Sequence, residues 1–119
     1  MANLISDVFC KIIKGELKAE VIYKDDDFLV IKDINPQAPV HLLIIPTKHY
    51  FSLEDFMEEG NPELLGKALT TAHKVSHQVG ISEKGYRLIL NEGEYGGKLV
   101  PHLHFHLLGG KRLGPKIVK

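Results

Sequence analysis

The sequence predicts a small α+β domain built on an antiparallel sheet. Three observations predict it: five strand-like runs, mostly short links between them, and two helical stretches with recognisable ends.

In chain order, Ser6-Asp7 caps a short first helix. Val8, Phe9, Ile12 and Ile13 form its apolar stripe and Gly15 ends it. Val21–Lys24 and Phe28–Lys32 read as two strands of a hairpin around Asp25-Asp26-Asp27. These acids lack the glycine and distal glutamate of a calcium loop, so they read as a solvated turn. Pro36 and Pro39 punctuate the next loop, and His41–Pro46 reads as a largely buried strand stopped by proline. Asn61-Pro62-Glu63 starts the long helix with a cap, a proline in the first turn and an acid near the positive end. Leu65, Leu69, Ala72, Val75 and Val79 recur at helical spacing before Gly80 ends the run. His73 and His77 form an i, i+4 pair with no acid or third ligand, which reads as an exposed structural pair. Arg87–Asn91 and His102–Leu108 supply the last two strands.

A chain of 119 residues is expected to form one domain, 1–119, with a core over about 7–110 and a C-terminal tail at 111–119. Fifteen basic and fifteen acidic residues cancel, so no global field favours nucleic acid or an anionic membrane. No apolar run approaches the ~20 residues of a membrane span, and no secretory signal is visible over Met1–Asp7. One cysteine excludes an internal disulfide and fits a reducing, cytoplasmic setting.

The most informative stretch is His102-Leu103-His104-Phe105-His106-Leu107-Leu108. On a strand the three imidazoles share one face, and Leu103, Phe105 and Leu107 share the other. A strand whose histidines are merely satisfied fits one such residue better than three. Metal binding is a second reading. On a regular strand, however, His102 and His106 lie about 13 Å apart, so one ion would need a further ligand such as His41. The third reading is nucleophilic attack on phosphorus, with the central His104 attacking and flanking imidazoles donating to phosphate oxygens. The attacking ring then needs an acceptor on its other nitrogen to fix the tautomer.

The run fits the His-x-His-x-His-x-x signature, x apolar, and here the chain resembles the histidine triad superfamily of nucleotide hydrolases and transferases. Asp33-Ile34-Asn35-Pro36-Gln37-Ala38-Pro39-Val40-His41 resembles the family's Asp-Ile-x-Pro-Gln-Ala-Pro-x-His segment. Asn91-Glu92-Gly93 followed by Gly96-Gly97 resembles its glycine-rich loop. Leu108-Gly109-Gly110 and Leu113-Gly114-Pro115 resemble the tail of its purine nucleoside phosphoramidase branch. The resemblance spans roughly residues 7–115.

The resemblance implies a five-stranded antiparallel sheet with two main helices. It also implies a two-fold homodimer through the long helix and a central strand, in which the sheet is continuous. It casts His104 as nucleophile, His106 as donor to a phosphate oxygen, and His41 beside the triad, on the phosphate or the His104 environment. His102 would orient the others by hydrogen bonding. Asp33 would accept from the ribose hydroxyls. Phe9, Ile12, Ile31 and Ile34 would line the base pocket, and Asn91, Gly97 and Val100 the phosphate path.

The chain departs from the pattern in three places. Lys98-Leu99 stands where animal members typically have Gln-Ser, so leaving-group protonation falls to His106, water or Lys98. Pro101 replaces a frequent aromatic residue, and the tail lacks the animal Trp-Pro-Pro ending.

The implied reaction is hydrolysis of a purine nucleoside 5′-phosphoramidate at the α-phosphate through a nucleotidyl-histidine. AMP- or GMP-type nucleotides are the expected ligands. No cofactor and no metal ligand is expected, because imidazoles and backbone N–H groups can bear the phosphate charge. A dinucleoside polyphosphate hydrolase, a nucleotide-binding or scaffold module with little turnover, and a structural zinc protein remain as alternatives.

Overall fold

The computed structural model describes residues 7–59 and 62–115. Its elements are α1 (Val8–Ile13), β1 (Val21–Lys24), β2 (Phe28–Lys32), β3 (Val40–Pro46), α2 (Leu53–Glu58), α3 (Pro62–Gln78), β4 (Tyr86–Leu90) and β5 (Phe105–Gly109). The strands form one sheet in the order β1-β2-β3-β5-β4, and every neighbouring pair is antiparallel.

Side-chain alternation along β2, β3 and β5 divides the apolar residues between two faces. On one, Phe28, Val30, Leu42, Ile44, Phe105 and Leu107 pack against Ala68, Ala72 and Val75 of α3. On the other, Leu29, Ile31, Leu43 and Ile45 pack against Phe9 of α1. Each such side chain contributes about 1.5–3 kcal/mol on burial. Pairing Leu43 with His106 and His41 with Leu108 puts both of these histidines on the α1 face.

The β1–β2 turn is more constrained than a solvated acidic turn. Asp25 Oδ1 accepts from the Asp27 and Phe28 amides, each at 2.8 Å. Lys67 of α3 pairs with Asp25 at 3.5 Å and Asp27 at 2.5 Å, tying the hairpin to the long helix. His73 and His77 are exposed and stack edge to face at 4.8 Å.

Several expectations need correction: β3 starts at Val40, one residue before the expected His41, and β5 runs on to Gly109, one residue past the expected Leu108. A third helix, α2, follows Phe51; Ser52 caps it by accepting from the Asp55 amide at 3.1 Å, and buried Phe56 anchors it. β5 begins at Phe105, not His102. Pro101 has no N–H to give a ladder, the His102 amide turns back to the Val100 carbonyl at 2.8 Å, and the Leu103 amide goes to Tyr50 at 2.6 Å. β4 starts at Tyr86 and ends at Leu90, one residue earlier than expected. The expected caps Ser6 and Asn61 lie outside the described residues. Among the described residues no helix is long and apolar enough to cross a membrane.

Candidate active site

The α1 face of the sheet opens into a cleft of about 560 Å³ between α1, the loop after β2 and the 91–100 segment. Ten of the twelve site residues expected from the sequence line it: Phe9, Ile12, Ile31, Asp33, Ile34, Asn91, Gly97, Val100, His104 and His106. Phe9 and Ile31 are buried in its wall, whereas Ile34 is 88 % exposed and forms part of the rim. Val8, Leu17, Leu43 and Leu99 also line it and were not expected to. A wider, shallower concavity of about 760 Å³ runs along edge strand β4, but no histidine, cysteine, serine or carboxylate lines it.

His104 directs Nδ1 at the main-chain carbonyl of His102, 2.7 Å away. A carbonyl only accepts, so Nδ1 carries the proton and Nε2 keeps its lone pair. Burial pushes the His104 pKa down; the carbonyl contact works against that, and the nearby Lys98 charge adds to it. The ring packs edge-on against Phe9 at 4.9 Å and lies 5.1 Å from the His106 ring.

His106 belongs to a longer chain of contacts. The Gln37 amide donates to His41 Nδ1 at 3.0 Å, so His41 bears its proton on Nε2. That nitrogen donates to His106 Nδ1 at 2.9 Å, which leaves His106 with an Nε2–H. Burial, then the neighbouring His104 and His41 charges, lower the His106 pKa to about 4. His41 therefore stands behind His106, beside the triad, and does not itself line the cleft. Asp33 Oδ2 lies 3.4 Å from His41 Nε2, and its Oδ1 accepts from the Asn35 amide at 2.8 Å.

The His102 ring is fully buried and does not line the cleft, so this residue meets His104 through its backbone. Its Nε2 donates to the Pro46 carbonyl at 3.2 Å. The neutral ring then turns the Nδ1 lone pair toward Asp7 Oδ2 at 3.3 Å and Cys10 Sγ at 3.7 Å. Asp7 Oδ2 also lies 3.0 Å from His49 Nε2, which in turn sits 3.0 Å from the Pro101 carbonyl. Burial alone would raise the Asp7 pKa, but the Cys10 amide, His102 and His49 hold it below the usual carboxylate range. Burial raises the Cys10 thiol pKa and lowers that of His102.

The ligand atoms of Asp7, Cys10, His49 and His102 all lie within 4.8 Å of one another. A carboxylate, a sulfur and two imidazoles suit zinc, and a cation would resolve the facing lone pairs of His102 Nδ1 and Asp7. Asp33, His41 and His106 also approach one another, but there the two imidazoles face each other through a hydrogen bond. The tetrad was not found from the sequence; the only local signal is Asp7-x-x-Cys10 at a helix start.

Lys98 and Leu99, the departures from the pattern, differ in placement. The Lys98 ammonium donates to the Phe51 carbonyl and lies 3.3 Å from Glu92 Oε1, while Leu99 is 93 % exposed at the cleft. Lys98 is thus not presented to the cleft as a proton donor.

The fold and cleft define a class: a five-stranded antiparallel sheet whose cleft sets a free imidazole Nε2 beside an Nε2–H. Residues 14–113 match the HIT domain family. The chain belongs to that family. It is 44% identical over 110 residues to the purine nucleoside phosphoramidase of Escherichia coli K12, covering 92% of each chain. Its fold superposes with a TM-score of 0.89 on a HIT family hydrolase from Clostridium thermocellum at 50% identity, covering 95% of this chain and 97% of that one. A Zn-bound histidine triad family protein from Mycobacterium smegmatis superposes with a TM-score of 0.78 at 29% identity, covering 95% of this chain and 80% of that one.

Proposed function

We propose that the protein hydrolyses purine nucleoside 5′-phosphoramidates, or related nucleotidyl compounds, at the α-phosphate through a nucleotidyl-histidine on His104. The observation that carries this is the His104 Nδ1 contact with the His102 carbonyl, which leaves a neutral Nε2 nucleophile beside the cleft. The E. coli relative, named for phosphoramidase activity, supports the same reading.

In the first step the Nε2 lone pair of His104 forms a bond to phosphorus and the P–N bond breaks. The amine departs with one proton taken from cleft water. Positive charge on the phosphorylated ring is met by the His102 carbonyl through Nδ1–H. The His106 Nε2–H donates to a phosphoryl oxygen, where charge accumulates. In the second step water attacks phosphorus, the P–Nε2 bond breaks, the nucleoside monophosphate leaves and the proton returns to solvent. Asp33 accepts from the ribose hydroxyls, and Phe9, Ile12, Ile31 and Ile34 hold the base. Asn91, Gly97 and Val100 border the phosphate path.

The protein acts as a homodimer in this reading, with β4 edges joined into one continuous sheet. The unpaired outer edge of β4 and the open concavity beside it support that placement. Asp7, Cys10, His49 and His102 would hold a zinc ion, with His49 giving up its Nε2–H contact to the Pro101 carbonyl to do so. Its chemistry there is structural: it would tie α1 and the 49–51 segment to the residue whose carbonyl orients His104. The Zn-bound relative from M. smegmatis supports a metal in this fold.

The deciding experiment is release of AMP from adenosine 5′-phosphoramidate by wild type and His104→Ala. Turnover lost in the variant is the expected result. A folded wild type that binds AMP but releases none from this substrate overturns the reading in favour of a polyphosphate hydrolase or a binding module.

A further inference from the structure

The nucleophile lies outside the regular sheet. β4 ends at Leu90 and β5 begins at Phe105, so residues 91–104 carry His104 without ladder pairing. Other contacts must hold this segment in place.

Two sets of contacts do so. The first closes the segment on itself: the Lys98 amide donates to the Gly93 carbonyl at 3.1 Å, the Gly97 amide to Glu94 at 3.1 Å, and the Asn91 side-chain amide to Gly96 at 2.7 Å. Gly97 takes a φ of +79°, and a side chain at Gly96 would collide with Glu92. The second set is a seam against residues 49–51. His49 Nε2 meets the Pro101 carbonyl at 3.0 Å, and the Leu103 amide donates to Tyr50 at 2.6 Å. The Lys98 ammonium donates to the Phe51 carbonyl.

Lys98 alone takes part in both sets. Its ammonium also lies 3.3 Å from Glu92 Oε1, inside the closed turn, and its side chain is only 10 % exposed. Lysine is almost never this buried without partners, and here an anion and a carbonyl supply them. The geometry points to Lys98 as a positioning residue for His104, a clasp between the glycine-rich turn and the 49–51 segment. Its ammonium is directed away from the cleft, so it neither binds substrate nor donates the leaving-group proton. It acts on the reaction by fixing the path of the chain into the nucleophile. Small displacements of a nucleophile are costly, about 10²-fold for 1 Å.

The inference rests on His104 being the nucleophile, and the experiment separates the two ideas. Lys98→Met keeps the stem and removes the charge; Lys98→Arg keeps the charge. Steady-state turnover of adenosine 5′-phosphoramidate, the Kd for AMP, and the imidazole ¹⁵N–¹H spectrum are measured on wild type and both variants. Lys98→Met is expected to lower kcat about 10- to 50-fold, with KM and the AMP Kd within about 3-fold. It should also weaken the His104 Nδ1–H signal that reports the bond to the His102 carbonyl. Lys98→Arg should restore both. Unchanged kcat in Lys98→Met overturns the inference. So does a large loss of kcat with the His104 signal intact, which would assign Lys98 a direct chemical role. If wild type shows no turnover, the proposed activity fails, yet the ¹⁵N spectrum still decides whether Lys98 positions His104. Should Lys98→Met not fold, Glu92→Gln weakens the clasp from its other end and is judged by the same readouts.

Discussion

Nδ1 of His104 lies 2.7 Å from the main-chain carbonyl of His102, so one residue of the triad sets the tautomer of the next through the backbone. A side-chain substitution at His102 keeps that carbonyl, and one at His104 removes the proposed nucleophile. The two variants should therefore fail differently. His104→Ala is expected to lose about 10³-fold or more in kcat with little change in AMP affinity. His102→Ala deletes a fully buried ring and should first lower stability, by about 2–4 kcal/mol. Thermal unfolding beside single-turnover kinetics tells them apart. Equal losses of chemistry at equal stability would contradict the backbone role.

Acid should remove activity below the usual histidine range and remove stability over a wider one. Burial lowers the pKa of both His104 and His106, in His106 from 6.5 to about 4. Both rings are then neutral at pH 7, and the acid limb of kcat/KM falls below about 6.5. For stability, the unfolded His106 binds a proton below 6.5 that the folded one refuses until about 4. The unfolded state therefore holds more protons in that window, and stability declines as pH falls from 6.5 toward 4. One such group contributes a slope of about 1.4 kcal/mol per pH unit. Denaturant titrations at pH 7, 6 and 5 should show falling midpoints, with a shallower slope in His106→Asn. Midpoints independent of pH would count against the buried, neutral rings.

The parts legible in the sequence are those set by local rules. The Asp25–Asp27 turn between two apolar runs is one of them. The alternation of Leu103, Phe105 and Leu107 with histidine is another, and all three apolar residues are buried. α2 escaped because it is only 6 residues long, so the Leu53, Phe56, Met57 spacing occurs once and never recurs. The start of β5 escaped because the alternation continues through Leu103 while the hydrogen bonds do not; Tyr50, far away in sequence, takes that amide. The Asp7, Cys10, His49 and His102 tetrad was unreadable for the same reason, since Asp7 meets His49 across 42 positions of chain and Cys10 meets His102 across 92. His41 and Asp33 were readable only through the resemblance, because a lone histidine and a lone loop acid carry no pattern of their own.

The bond from His41 Nε2 to His106 Nδ1 predicts coupled kinetics. If His41 acts only by fixing the proton on His106 Nε2, removing it should cost about 10- to 100-fold in kcat/KM. The double variant His41→Ala/His106→Ala should then be no slower than His106→Ala alone. Additive losses would mean that His41 touches substrate directly.

Core packing makes a simpler prediction. Ile44 of β3 and Leu107 of β5 are each 0% exposed on the α3 face, and truncation to alanine leaves a cavity that the sheet cannot close. Each should cost about 2–5 kcal/mol in denaturant unfolding. Tyr95, fully exposed, should change stability by less than about 0.5 kcal/mol as Tyr95→Ala.

The Asp7, Cys10, His49 and His102 cluster predicts a metal dependence that is structural. Protein prepared without a histidine tag should contain close to one zinc per chain, and cobalt substitution should give the absorption of a tetrahedral site with a thiolate ligand. Chelation should lower the melting temperature, because the ion ties α1 to the 49–51 segment and to His102. Cys10→Ser and His49→Ala should each reduce metal content and lower Tm. AMP should still bind, since neither residue lines the cleft. The carboxylate of Asp7 makes a distinct contribution: Asp7→Cys should raise zinc affinity, thiolate being the softer ligand, and sharpen the cobalt charge-transfer band. A chain that carries no metal, gives no tetrahedral cobalt spectrum and melts at the same temperature with or without chelator would show the cluster to be a hydrogen-bonded staple. Nδ1 of the neutral His102 would then accept from the Cys10 thiol, 3.7 Å away.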